Sequence, residues 1–202
     1  MKIRQRFNKD KIYFISDTHF HHSNIIEMCS RPWGDIKTHD NALIQNWNKV
    51  VPKDGIVFLA GDVTLTSRID YITELIEQLN GTIYLIFGNH DIQNRFDREI
   101  IMKLFEGAYD TLSITVDDTN QSNGHVNFFI SHYPHLFWER GAYHLHGHVH
   151  SGYNSTANEK VPFHHLRYDI GVDNNNYKSI SYHELMVIFE QYKIKENERN
   201  TN

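Results

Sequence analysis

Three short apolar runs, over 11–16 (KIYFIS), 55–60 (GIVFLA) and 82–87 (TIYLIF), alternate with stretches of helical period, and this alternation most tightly limits the fold. Each run is rich in β-branched and aromatic residues, the signature of a buried strand. Between the first two, residues 38–50 carry Leu43, Ile44, Trp47 and Val50 on one face, with Val51 just beyond. Between the second and third, residues 67–79 carry Ile69, Ile72, Leu75, Ile76 and Leu79, with Ser67 and Asp70 spaced as a capping box and Asn80-Gly81 as the stop. Strand, helix, strand, helix, strand predicts a mainly parallel sheet with crossover helices on its face.

Each of these strands ends in polar residues of one chemical kind. The third runs into Gly88-Asn89-His90-Asp91, the first into Asp17-Thr18-His19 and the second into Gly61-Asp62. In open α/β sheets the carboxyl edge of the strands is where ligands bind, because its loops converge side chains from several strands.

The second half of the chain reads differently. A helix is predicted over 95–105, a strand over 109–116, a polar turn over 117–124 and a strand over 125–131, a hairpin that makes this half antiparallel or mixed. His132 follows the last of these, so the strand-end pattern recurs. Residues 143–150 hold His146, His148 and His150 at alternate positions, which would share one face of an extended segment, whereas a bend at Gly147 would turn successive donors toward different ions. Short helices or turns are predicted at 24–28 and 31–34, a late strand over 168–172 and a loop over 174–176. The last helix spans 181–192, opened by Ser181 and Glu184 as a capping box, and 193–202 reads as a frayed polar tail.

Composition narrows the function class. With 202 residues, 40% hydrophobic and 22% charged, the chain is expected to form one globular domain over 1–202. No apolar run approaches the roughly 20 residues of a membrane-spanning helix. The basic start, residues 1–10, leads only into the short run 12–15 rather than a signal peptide's apolar region, so a cytoplasmic protein is expected. A single cysteine, Cys29, leaves no internal disulfide and no thiolate cluster. The net charge of -5 argues against broad electrostatic capture of nucleic acid. Fifteen histidines, internal and gathered in short tracts, point instead to metal binding.

The strand-end residues Asp17, His19, Asp62, Asn89, His90, His132, His148 and His150 supply enough nitrogen and oxygen donors for two divalent ions. A carboxylate between them could hold the pair roughly 3.5 to 4 Å apart, an arrangement that clamps a phosphoryl group. Mixed imidazole, carboxylate and amide donors suit Mn, Fe, Zn or Ni.

Asp17-Thr18-His19, Gly61-Asp62, Gly88-Asn89-His90-Asp91, His132 and Gly147-His148-Val149-His150 resemble, in order and context, the motifs of the calcineurin-like metallophosphoesterase superfamily. The resemblance spans residues 11 to about 150 and includes small bacterial and phage members. It implies a four-layer α/β/β/α sandwich of two mixed sheets flanked by helices, with a binuclear centre at the strand ends and manganese the foremost metal. By position it implies Asp17, His19, Asp62 and His150 on one ion and Asp62, Asn89, His132 and His148 on the other. His90 would stabilise the pentacoordinate phosphorus and protonate the leaving group, with Asp91 orienting it. The implied reaction is in-line attack by metal-bridged hydroxide on a phosphoester, with a preference for phosphodiesters of nucleotide type because no cap domain is evident. The second motif departs from the fuller pattern, since Asp62 is followed by Val63-Thr64-Leu65 without a further acid.

His22 and Asn24 are candidates for substrate contact, and Arg31 for a phosphate, arginine being suited to bidentate recognition. Trp33, Tyr133, Phe137, Trp138 and Tyr143 are candidates to wall the site. His21, His39, His125, His164, His165 and His183 read as surface or packing residues, and Asp173 as part of a turn. Three other functions compete: a phosphomonoesterase of the same fold, a noncatalytic metal-binding scaffold, and a hydrolase of the metallo-β-lactamase type. The scaffold would have lost His90 or several ligands, and the last requires an acid where Ser151-Gly152 follows His150.

Overall fold

The structure, a computed structural model, describes residues 2–93, 98–150 and 164–201. In chain order its elements are β1 (Lys2–Asn8), β2 (Ile12–Ile15), α1 (Asn24–Met28), α2 (Ile36–Val50), β3 (Ile56–Leu59), α3 (Ile69–Gln78), β4 (Thr82–Ile86), α4 (Asn89–Gln93), α5 (Arg98–Leu104), β5 (Gly107–Tyr109), β6 (Thr111–Asp117), β7 (His125–Ser131), β8 (Ala142–His146), β9 (Arg167–Asp169), β10 (Ile180–Ser181) and α6 (Tyr182–Thr201). They build two mixed sheets with flanking helices, one in the order β1-β6-β7-β8-β9 and the other β10-β2-β3-β4-β5.

The predicted parallel core of the second sheet is present. Strands β2, β3 and β4 run parallel with Ile15, Leu59 and Leu85 in one row, so their carboxyl ends are level. Because β7 and β8 are parallel neighbours in the other sheet, the second pair of histidine-bearing strand ends is also adjacent.

Alternation along these strands sends their side chains to two cores. Phe14, Phe58, Ile86, Leu112, Ile114, Phe128, Ile130 and Leu145 meet between the sheets, and Leu185 and Phe189 of α6 join them. The Phe14 ring lies 5.7 Å from Phe58 and 5.3 Å from Phe128. Burying each such ring contributes roughly 2 to 3 kcal/mol. On the opposite face of the second sheet, Leu43 and Trp47 of α2 and Ile72 and Leu75 of α3 pack on Ile15, Val57, Leu59, Ile83 and Leu85. The apolar stripes read from the sequence are therefore the faces that bury.

Local signals explain most element boundaries. Asp35 caps α2 by accepting the Thr38 N–H at 2.9 Å. At α6 the expected capping box closes in both directions, with Ser181 N to Glu184 Oε2 at 2.9 Å and Glu184 N to Ser181 Oγ at 3.3 Å. The box expected at Ser67 and Asp70 does not form, because α3 starts one residue late. Arg68 occupies the cap position, and Asp70 pairs with its guanidinium at 2.6 Å instead.

Other expectations are corrected. The strand predicted over 109–116 is two strands in different sheets, with Asp110 between them where the chain crosses over. Residues 193–201 are not a frayed tail. They continue α6 to Thr201, since Lys, Glu and Arg sustain a helix without an apolar stripe. The charged sequence KIRQRFN lacks an apolar run and so does not announce β1, which pairs in parallel with β6 at a sheet edge, where basic residues are common. For the helix predicted over 95–105, α5 covers Arg98–Leu104, and residues 94–97 lie outside the described ones.

Candidate metal centre

The level carboxyl ends of β2, β3 and β4 deliver Asp17, His19, Asp62, Asn89 and His90 to one spot, and the ends of β7 and β8 bring His132, His148 and His150 to the same place. Backbone bonds weld the loops together: Asp17 N donates to Gly61 O, His19 N to Asp62 O and Gly147 N to His132 O, each at 3.0 Å. The His148 N–H donates to the Asp17 carboxylate at 3.0 to 3.1 Å, joining the two sheets at the site.

Among the described residues, three groups of donors form from these strand ends, Asp17 with His19 and His150, His19 with Asp62 and His90, and Asp62 with His132 and His148, and a fourth joins His150 to Cys29 and Asp173, each with ligand atoms within 4.8 Å of one another. Asp62 is common to the second and third and His19 to the first two. The Asp62 Oδ2 atom stands 3.5 Å from His19 Nε2, 3.5 Å from His132 Nε2 and 3.8 Å from His90 Nε2. Its other oxygen accepts the His90 N–H at 2.9 Å.

Electron pairs point at one another here. His132 Nδ1 lies 2.9 Å from the Ala60 carbonyl, which can only accept, so Nδ1 carries a hydrogen, while Nε2 faces Asn89 Oδ1 at 3.0 Å, His148 Nδ1 at 3.2 Å and Asp62 Oδ2 at 3.5 Å. His19 Nε2 is buried without a hydrogen-bond partner among the described residues. An arrangement in which acceptors face acceptors across a few ångströms is what a cation resolves, so the residues present fit a metal.

The electrostatics at Asp17, His19 and His148 agree. Burial pushes the Asp17 carboxyl up to about 7, reinforced by the charge of Asp62 and opposed by His150 and hydrogen bonds. Burial and the neighbouring cations His150 and Arg31 drive His19 well below the ordinary histidine range, and burial with His132 lowers His148. A buried imidazole kept neutral is a ready ligand.

Backbone strain marks the same residues. Asp17 (φ 58°), His19 (φ 51°), Asp62 (φ 54°), His148 (φ 74°) and His150 (φ 45°) all sit in the left-handed region, which disfavours side chains by roughly 1 to 2 kcal/mol each. The backbone is closely packed beside them. A methyl group on Gly88 would overlap the Asp62 carboxylate, and one on Gly147 would overlap Ser16 Oγ and the Asp17 carboxylate.

The remaining expected residues divide. His90 borders the pocket with its side chain 29% exposed, its ring 5.1 Å from that of His19. His22 packs behind, Nδ1 to Nδ1 at 3.1 Å from His19 and its ring 5.9 Å from His90. Asn24 is exposed at the start of α1. Asp91 does not orient the His90 ring. Its Oδ2 accepts the Asp62 and Gly88 N–H groups at 2.9 and 2.8 Å and its Oδ1 that of Val63 at 3.0 Å, so it shapes the loop that carries Asp62. Arg31, expected on a phosphate, is turned into the protein with a fully buried side chain and clasps Asp173. Asp173, read as a turn residue, accepts from His150 Nδ1 at 2.8 Å, with the Cys29 thiol close by. The sequence signal for it was only an acid beside an Asn run. Of the aromatics, Tyr133 lines the rim, 48% exposed and 4.5 Å from the His148 ring, and Phe137 is exposed. Trp33, Trp138 and Tyr143 are packed against His39, His144 and Phe189.

Comparison with known proteins places this site in a family. Residues 10–182 match the calcineurin-like phosphoesterase family. The chain is 49% identical over 82 residues to an uncharacterized protein of Methanocaldococcus jannaschii, a match covering 40% of this chain and 47% of the relative, so the chain spans about half the length of that relative. It is 29% identical over 160 residues to the gene 66 protein of Mycobacterium phage L5, covering 69% of this chain and 77% of the phage protein. Among solved structures, a protein of unknown function from Aquifex aeolicus superimposes with a TM-score of 0.64 at 25% identity, over 88% of this chain and 98% of that one. With strand-end donors, two mixed sheets and a match along most of its length, the chain belongs to the calcineurin-like phosphoesterases, a family of metal-dependent hydrolases of phosphate esters.

Proposed function

We propose that this protein hydrolyses phosphodiesters of nucleotide type with two divalent transition ions, held by Asp17, His19, Asp62 and His150 on one side and by Asp62, Asn89, His132 and His148 on the other. The observation that carries the reading is the placement of one carboxylate oxygen, Asp62 Oδ2, at 3.5 Å from both His19 Nε2 and His132 Nε2, members of the two donor sets. Manganese, iron, zinc or nickel would supply Lewis acidity toward the phosphoryl oxygens and a water acidified to near neutral pH.

The chain's own contribution is position and proton traffic. Asp62 holds the backbone of His90, so the imidazole is fixed at the pocket mouth with its Nε2 aimed inward. From there it donates a proton to the departing ester oxygen, the role of a general acid. Asp91 fixes the Asp62 loop through three backbone bonds and so sets the distance between acid and pocket. Tyr133 offers an exposed ring at the rim on which the base of a nucleotide leaving group can stack, which favours a diester over a bare monoester.

The test is a paired assay of an aryl phosphate diester and monoester with added manganese, followed by cyclic and linear nucleotides. Hydrolysis with the diester preferred is expected, and His90→Ala is expected to keep its metal while losing about 100-fold or more in kcat. Full activity in His90→Ala removes that residue from the chemistry, and failure on every phosphoester with manganese bound refutes the enzyme reading.

A further inference from the structure

Behind His150 lies a buried polar assembly that the two-metal reading does not use. Arg31 has five N–H groups, and all five are placed. Nε donates to Asp173 Oδ1 at 2.8 Å, Nη2 to Asp173 Oδ2 at 2.8 Å and to Asp17 O at 2.8 Å, and Nη1 to Thr18 O at 3.0 Å and to His39 Nε2 at 2.8 Å. Since a guanidinium can only donate, His39 must accept through Nε2 and carry its hydrogen on Nδ1, which donates to Asp40 Oδ1 at 2.8 Å. The side chains of Arg31 and His39 are fully buried and that of Asp173 is 5% exposed.

This assembly touches the pocket at two places. Two of the guanidinium bonds end on the carbonyls of Asp17 and Thr18, the left-handed loop between two expected ligands. Asp173 Oδ2, gripped by Arg31, holds His150 Nδ1 at 2.8 Å and leaves His150 Nε2 directed to Asp17 Oδ1 at 3.9 Å.

We infer that Arg31 and Asp173 are positioning residues of the metal pocket, a guanidinium-locked carboxylate that orients His150 while bracing the Asp17 loop. The inference rests on the two-metal reading of the site. Its physical basis is general: a carboxylate on the far nitrogen of a ligating histidine fixes the tautomer and aim of the near one, and removing such a partner costs 10- to 100-fold in metal affinity. Here the carboxylate is itself immobilised by a fork whose geometry lysine does not reproduce.

Calorimetric titration of manganese into the full chain, stripped of metal, tests this without reference to turnover. The wild type is expected to take two ions, and Asp173→Asn to weaken one of them by 10- to 100-fold while leaving the other within about twofold. Adding Asp173→Asn to His150→Gln should produce no further loss, because the carboxylate acts through that ring. Asp118→Asn, destabilising but remote, should leave both affinities unchanged and so separates positioning from general loosening of the fold. Should Asp173→Asn melt below the assay temperature, Arg31→Lys carries the test, with a loss of roughly threefold or more expected at the same ion. Unchanged affinity in the folded variants, or losses of Asp173→Asn and His150→Gln that simply add, overturns the inference. A wild type that binds no manganese overturns the two-metal reading itself and the inference with it.

Discussion

Replacing Asp118 with Asn should destabilise the protein by an amount that depends on pH in a calculable way. The residue follows β6, its side chain 5% exposed, and ties three distant segments together. Oδ1 takes Lys9 Nζ at 2.7 Å and Asn120 N at 3.0 Å, and Oδ2 takes the Tyr182 hydroxyl at 2.7 Å. Burial alone would raise this carboxyl, but the bonds from Lys9, Tyr182 and Asn120 outweigh it and bring it from 3.8 down to about 2. At roughly 1.4 kcal/mol per unit, the charged form contributes about 2.5 kcal/mol to folding. A depressed folded value means that this stability is complete above the unfolded value near 3.8 and is lost as pH falls toward 2. About half of it should be gone by pH 3, by the same linkage relation. The assay is urea unfolding of wild type and Asp118→Asn at pH 7, 5 and 3. With a urea slope of roughly 2 kcal/mol/M, the midpoints should differ by about 1 M at pH 7 and at pH 5 and draw together at pH 3. Equal midpoints at neutral pH, or a gap that stays constant down to pH 3, would refute the reasoning.

Gly88→Ala places a methyl group on the Asp62 carboxylate, so manganese affinity should fall at least about tenfold, read by metal content after dialysis. Trp47, 1% exposed and bonded through Nε1 to Asn80 O at 2.9 Å, anchors α2; Trp47→Ala should lower the unfolding free energy by about 3 to 5 kcal/mol in urea titration. Treatment with a chelator should abolish phosphoester hydrolysis and lower the melting temperature, and manganese should restore both, because a bound ion stabilises the folded state by mass action.

Much of this architecture is legible from residue order alone. The runs ending at Ser16, Ala60 and Phe87 declare themselves as strands by their β-branched and aromatic content, and the donors beyond them follow from where a parallel sheet leaves its loops. What stays hidden has physical reasons. β1 hides because an edge strand is stabilised by its neighbour rather than by its own apolar content. The switch at Asp110 hides because a single residue between β5 and β6 carries no turn signal. The true work of Arg31 and Asp173 is invisible because the two are 142 residues apart in sequence, and only folding shows that the arginine faces inward. The bonds of Asp91 to three backbone amides are equally beyond the reach of a motif, which specifies the acid but not what it binds.

The left-handed backbone at Asp17, His19, Asp62, His148 and His150 sets stability and chemistry against each other at the same positions. Glycine would relax the chain at every one of them, and each such relief would delete a donor. A library of variants selected for thermal endurance alone should therefore drift toward glycine and asparagine at these five places and arrive at a sturdier, inert protein, whereas selection for turnover would hold the uncomfortable residues in place.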